Sequence, residues 1–397
     1  MKKTQLILAS ALSALLLVGC AGDNTPNDGR TRTLAPQGET IETKSGVSKL
    51  KRAVKATPLQ NVWSLSLSHD SSLEVNGNTK NEYTSDSSKN VEVSYDVSVA
   101  EPVFDLKASG LNGASIANAK AQVEMGGDIS VKYTKNAETE KKFSGTDVSL
   151  KAYLDGDKAY LDPRGTKTFV NNAVSAIGGD QGKILNAYIN RYFKNGYYFE
   201  TGLTDEDMPL IQSDLTDSIS DYLDLFYDHA EDYAAFLNMK QNGDSYSFYL
   251  TLNKEDLIRI ATDLEEKVKD ENQTSMSFSD VNFNDALKGT TVNAYEILVT
   301  FNEDALLSAS FNIDTVSDET TDITETDSDG NSTKTGTSHS VVNVKSKGTV
   351  NFSHESPTIP AEVSKFVDGK ETFGELADTI ETIIKSFFPD GSIDLPF

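Results

Sequence analysis

From Val91 to Val99 the chain reads VEVSYDVSV. Val91, Val93, Tyr95, Val97 and Val99 alternate with Glu92, Ser94, Asp96 and Ser98. Successive side chains of a strand point to opposite faces. The segment is therefore a strand with one wet face and one face that must be covered. The same period recurs at Trp63, Leu65 and Leu67, set among Ser64, Ser66 and Ser68, and at Val148, Leu150, Ala152 and Leu154. Asp155-Gly156 reads as a two-residue hairpin turn with positive φ angles, returning through Lys158 to Asp162. Later strands are expected at Tyr246 to Leu252, Val292 to Phe301, Ala305 to Ile313, and His339 to Phe352.

Between these runs the period changes to that of a helix. A short helix is expected near Val47 to Lys55. A helical insert follows from about 166 to 238, and its clearest helix starts near Thr204–Pro209. The apolar positions of that helix, Ile211, Leu215, Ile219, Leu223, Phe226, Ala230, Tyr233 and Leu237, advance by three or four. A further helix runs from Glu255 to about Lys269 with Asn253 as N-cap. A last one, Phe373 to Phe388, ends at Pro389-Asp390-Gly391. The strands are one-sided and no equal second set exists to cover them, so the helices must. The fold class is α+β, a curved antiparallel β-sheet holding several α-helices against its apolar face.

The segments VSLKAYLDGDKAYLD, DSYSFYLTLNKEDLIRIATDL, AYEILVTFNEDALLSASFNI and PTIPAEVSKF, in this order of elements, resemble the LolA/LppX-like bacterial lipoproteins and their uncharacterised relatives. The likeness covers most of residues 45–365 and lies in pattern, not in an invariant motif. It implies a half-barrel sheet wrapped around helices and an apolar cavity that carries lipids or lipoproteins. Residues 46–397 then form one elaborated LolA-like domain. The extra length and the helical insert set this chain apart from the smaller members.

The start of the chain carries its own signal. Lys2 and Lys3 precede an apolar run, Leu6 to Val18, of about 13 residues, against the roughly 20 that a membrane span needs. Residues 1–19 read as a secretory signal peptide. Leu17-Val18-Gly19-Cys20 resembles the lipobox of bacterial lipoproteins, and Cys20 is the only cysteine in the chain. The resemblance implies a diacylglyceryl cysteine bearing a further acyl chain such as palmitate; the bland alternative is an ordinary signal peptide with a chance cysteine. Two acyl chains hold a protein stably at a membrane. The expected location is the extracytoplasmic face of the cell membrane, or the outer membrane in a two-membrane envelope. Residues 20–45, polar and without apolar period, read as a flexible tether with a reach of roughly 25–30 Å. The chain carries 61 acidic against 36 basic residues, a net charge of −25. That balance disfavours nucleic acid and docking on anionic headgroups.

Catalytic motifs are missing from the sequence. His69, His229, His339 and His354 form no HExxH pair, and neither a GxSxG elbow nor a phosphate-binding glycine loop is present. No enzyme activity, metal or cofactor is expected. Glu325, Asp327, Asp329 and Gly330 loosely follow an EF-hand loop, but position 12 is Gly336 where a bidentate Glu is needed; a long polar hairpin loop across 318–337 is the competing reading. On the insert helix, Asp214, Asp217, Asp221, Asp224, Asp228 and Glu231 form an acidic stripe, either a solvated face or a dock for a cationic protein partner. Leu215, Ile219, Tyr222, Leu223, Phe226 and Tyr233 are the candidate ligand-binding residues, with ordinary core packing as their alternative. The function expected is a membrane-anchored lipoprotein that binds or carries a lipid-like ligand between sheet and helices. The competing function is a surface scaffold with a packed core and an acidic docking face.

Overall fold

The computed structural model describes residues 30–57, 60–84, 86–113, 115–177, 179–208, 223–270, 289–326 and 332–370. The expected signal peptide, Cys20 and the expected helix from Phe373 to Phe388 lie outside these residues. In chain order the strands and helices are β1 (Glu39–Thr40), α1 (Thr43–Ala56), β2 (Val62–Leu67), β3 (Ser72–Tyr83), β4 (Val91–Ser109), β5 (Lys120–Lys135), β6 (Lys141–Asp155) and β7 (Lys158–Asp162). They continue with α2 (Lys167–Ile177), α3 (Gly179–Tyr192), β8 (Tyr197–Glu200), β9 (Leu237–Asn242), β10 (Ser245–Thr251), α4 (Lys254–Asp270), β11 (Thr290–Phe301), β12 (Leu306–Thr326), β13 (Ser332–Ser353) and β14 (Val367–Asp368).

All strands join one sheet in the order β1-β9-β10-β11-β12-β13-β2-β4-β5-β6-β7-β8-β14, with β3 paired to β4. Every pairing is antiparallel except β14 with β8. The sheet is curved but ends at β1 and β14, so it is not a closed barrel. The period-two patterning is visible in its register. One row of partners runs Phe352, Leu65, Leu106, Val123, Ala152, Leu161, Tyr197 from β13 to β8. The adjacent row runs Ser353, Ser64, Lys107, Gln122, Tyr153, Tyr160, Tyr198. The first row defines an apolar inner face and the second a mostly polar outer face.

The inner face is covered differently along its width. On the β9–β13 side α1 lies flat on it. Val47, Leu50, Ala53 and Val54 are buried there with Trp63, Leu65, Phe248 and Ile297. Burying a Val or Leu side chain contributes about 1.5–3 kcal/mol, so this stripe alone fixes the helix to the sheet.

The bend lies on a crease. Glu101 (φ 48°), Gly127 (φ 135°) and Asp147 (φ 51°) adopt left-handed backbone conformations on the neighbouring strands β4, β5 and β6. The register slips at the same places, between Ala100 and Val103 and between Gly127 and Ile129. The Asp147 N–H donates to the Asp128 carboxylate at 2.8 Å, which holds the extra residue in place. Bulges bend and twist the strands that carry them. At Gly127 a Cβ would stand 2.9 Å from the Pro102 Cα.

Several sequence expectations change here. Residues 30–41, assigned to the tether, are fastened to the outer face of β10–β12. The Arg30 guanidinium grips Asp256 at 2.8 and 2.9 Å. Glu296 is fully buried, and its carboxylate accepts from Thr33 (2.5 Å), the Leu34 N–H (2.9 Å), Tyr249 (2.7 Å) and Asn312 (2.8 Å). Four donors on two oxygens satisfy a buried charge that would otherwise be very costly. Burial and this bond to Glu296 together push the Tyr249 phenol up. The helix expected to reach Asn238 is helical at 223–228 and gives way to turns, and Leu237 and Met239 pair with Leu250 and Phe248. Alternation at those positions serves the sheet better than the helix. The insert also contains strand β8. The polar loop expected across 318–337 is mostly strand: Asp318 faces Val341 and Asp322 faces Thr337. Threonine suits a pleated surface, and the Lys334–Asp322 (2.5 Å) and His339–Asp318 (2.8 Å) pairs tie the two strands together. The hairpin after β6 uses Gly156 and Asp157 as its loop, with only Gly156 at positive φ (63°). That is the pattern of a type II′ turn.

Two substitutions test this framework. Gly127→Ala forces a side chain into a glycine-only conformation and is expected to lower unfolding free energy by roughly 1–3 kcal/mol in denaturant titration. Glu296→Ala orphans several buried donors at about 1–3 kcal/mol each. The expected loss is at least about 3 kcal/mol, with faster hydrogen exchange at the Leu34 amide.

A candidate apolar cleft on the inner face

On the β5–β8 side the covering helices leave open space over the inner face. None of the α2 side chains described is fully buried, in contrast with α1. Between α2–α3 and strands β5–β7 lies a cleft of about 550 Å³ with an almost wholly apolar lining. Ile129, Val148, Leu150 and Leu161 supply the sheet side; Phe169 and Val170 of α2 and Tyr192 and Phe193 at the end of α3 supply the helix side; Tyr197 of β8 closes one end. Met125, 43% exposed, stands at the rim. The volume lies in the range typical of small-molecule pockets, about 300–1,000 Å³.

Local sequence explains why the helices sit there. Asp162-Pro163-Arg164 turns the chain from β7 into α2. The Arg164 N–H and guanidinium donate to the Asp162 carboxylate at 3.2, 2.7 and 2.6 Å. Arg164 also reaches Glu362 at 2.8 Å, which ties residues 361–365 to the same corner. Phe169 packs against Phe143 with ring centroids 5.7 Å apart. Asn172 donates to the Ser144 carbonyl at 3.0 Å, and Asn186 links α3 to Ser175 of α2 at 2.9 Å. The Tyr197 hydroxyl donates to the Tyr192 carbonyl, which fastens the end of α3 to β8. The helices are thus held at their ends and flank, and the space beneath them stays open.

The apolar face continues past the cleft. Ile129 pairs with Val99, Val131 with both Val97 and Phe143, and Val75 with Val97. All are half-buried. They extend the cleft lining along the outer halves of β3–β6.

The sequence-predicted residues fall elsewhere. Leu223, Phe226 and Tyr233 are buried in the core under α1, Tyr233 fully, with Phe226 edge-on to Phe248 at 5.4 Å. None of the three lines the cleft. Leu215, Ile219 and Tyr222 lie outside the described residues, as do Asp214, Asp217 and Asp221 of the acidic stripe. Asp224 pairs with Lys51 at 2.5 Å, across a smaller hollow of about 360 Å³ whose lining is charged, including Arg52 and Lys55. Asp228 and Glu231 are exposed. Each histidine described with a partner has a different one: Asp318 for His339, the Val62 carbonyl for His354, Asp232 and Asp263 for His229. Among the described residues no group of three or more His, Cys, Asp or Glu is placed to hold a metal ion. No helix among them is long and apolar enough to cross a membrane. The cleft residues carried a readable signal: Leu150 belongs to an alternating strand, and Phe169 and Val170 follow the Asp-Pro-Arg-Gly turn at the start of a helical stretch.

The corner at Asp162 gives a pH test. Burial pushes this carboxyl up, but the hydrogen bonds and charge of Arg164 outweigh it and hold it below the ordinary carboxylate range. A lowered folded-state value means that the pair stabilises the fold above the unfolded value of about 3.9 and that this contribution is lost as pH falls through the folded value. Asp162→Asn is expected to flatten the fall in urea midpoint between about pH 5 and pH 2 relative to the parent.

No family model matches the chain, and no curated protein matches it. Among solved structures the chain is similar to a "putative outer membrane lipoprotein-sorting protein domain" from Vibrio parahaemolyticus, with 8% identity over 81% of this chain and 97% of that one. The TM-score is 0.14, an overlap too small to establish a shared fold.

Proposed function

We propose that this protein is an envelope lipoprotein, attached through an acylated Cys20, that holds a lipid-like ligand in the cleft between β5–β7 and α2–α3. In this reading its fold is a half-barrel of the LolA/LppX-like kind. The observation that carries the proposal is the apolar lining of a cleft of about 550 Å³ in a chain that packs the other half of the same face solid. Binding draws on the hydrophobic effect at about 25 cal/mol per Å² of apolar surface removed from water. With so few polar groups in the lining, selection falls on size and apolarity, not on a headgroup. The lipobox-like sequence supplies the attachment and the strongly acidic surface keeps the body solvated.

The test is a titration of full-length, delipidated protein with a fluorescent fatty-acid analogue. Saturable binding is expected. Leu150→Asp and Phe169→Asp, both at half-buried positions, are expected to weaken it at least about tenfold, equivalent to about 1.4 kcal/mol. Lys51→Ala, in the charged hollow, is expected to leave it unchanged. Binding indifferent to both cleft substitutions sinks the proposal.

A further inference from the structure

Met125 stands where the solid and the open halves of the inner face meet. On β5 it alternates in phase with Val123 of the inner apolar row, so it points to the inner face. Its partner on β4 is Phe104, which packs against the core under α1. Its partner on β6 is Leu150, which lines the cleft. Met125 lines the cleft as well and is 43% exposed. It forms the sill of the cleft on the α1 side.

The chain has five methionines. Met1 and Met276 lie outside the described residues. Met208 and Met239 are fully buried, the first among Ile116 and Ala119 and the second against Gly46. Among the described residues Met125 is thus the one methionine that solvent reaches. A peroxide has to reach the sulfur to oxidise it, so burial protects the other two.

We propose that Met125 is an oxidation-sensitive control point of the cleft: a peroxide converts its thioether to the sulfoxide and thereby weakens the binding of an apolar ligand. A sulfur lone pair attacks one peroxide oxygen. The S–O bond forms as the O–O bond breaks, and sulfur is oxidised by two electrons. The proton of the transferred oxygen passes to the displaced one, which leaves as water or an alcohol. A flexible apolar side chain has then become a polar, chiral one.

The surroundings give the new oxygen little to bond with. The Thr166 hydroxyl already donates to the Pro163 carbonyl at 2.7 Å, and the Tyr197 hydroxyl to the Tyr192 carbonyl. The lining is otherwise almost wholly apolar. A ligand that covers the sulfoxide strips it of water and returns no hydrogen bond. The reduced thioether has the opposite effect, since its unbranched chain adapts to an apolar surface. Enzymatic reduction of the sulfoxide reverses the change. The loss of affinity rests on the reading of the cleft as a ligand site; the selective oxidation does not.

The test treats full-length, delipidated protein with hydrogen peroxide, maps the products by peptide mass spectrometry and titrates the fluorescent fatty-acid analogue. Met125 is expected to gain an oxygen at least about tenfold faster than Met208 or Met239. The dissociation constant of the probe is expected to rise at least about tenfold and to return after methionine sulfoxide reductases of both epimer specificities have acted. Met125→Leu is expected to bind equally before and after peroxide, which sets aside any oxidation at Met276. Met125→Gln, polar and of similar length, is expected to show the weakened binding without oxidant. Oxidation of Met125 no faster than that of Met208 and Met239 overturns the proposal. So does a sulfoxide at Met125 that leaves probe affinity unchanged. If the untreated protein binds no probe, the ligand reading fails and the control of binding falls with it, while the peptide map still decides whether the oxidation is selective.

Discussion

An apolar face that runs unbroken across a wide sheet has to be shielded from water along its whole width. In this protein a single row of register partners, from Phe352 to Tyr197, carries that face through seven strands. The rest of the architecture is a response to it. On one side the shielding is complete, with α1 pressed against the strands and the aromatic rings of Phe226, Tyr233 and Phe248 filling the remainder. On the other side α2 and α3 are braced at their ends by Arg164, Asn172 and Tyr197 and leave a gap below. The same patterning produces a solid core and an open groove, and the difference lies in how the helices are fastened.

The crease at Glu101, Gly127 and Asp147 separates two regimes of the long strands. Inside it, side chains of the inner face meet helices. Outside it, β3 to β6 continue as a single layer whose apolar side chains, such as Val97 and Val131, are only half-buried. The bulges on β4, β5 and β6 bend and twist the sheet where the two regimes meet.

Much of this was legible in the sequence. Strict alternation located β2, β4, β6, β7 and β10–β13, and the caps and apolar stripes located α1 and α4. Asn253 and Asp256 accept from each other's N–H at 3.0 Å, the reciprocal cap that the sequence pattern anticipates. Strands β3 and β5 were not, because Gly77, Asn78, Gly126 and Gly127 interrupt their alternation and pairing makes them strands, β3 with β4 and β5 with both β4 and β6. The end of the insert helix was misplaced because Tyr233 and Leu237 satisfy both a helical stripe and a turn followed by a strand. The position of the cleft was illegible for a different reason. Periodicity says which side chains face inward, but whether a covering helix lies flat or stands off depends on contacts such as Arg164 to Glu362 that join residues far apart in the chain.

The clasp around Glu296 has a consequence for reach. With the backbone held from Arg30 onward, the lipid anchor proposed at Cys20 would be separated from the clasp by about ten residues, which span at most ~35 Å even when fully drawn out. That is less than the thickness of a bilayer with its headgroups, about 40–45 Å. So short a lead would keep a molecule anchored in that way stationed at the surface that holds it.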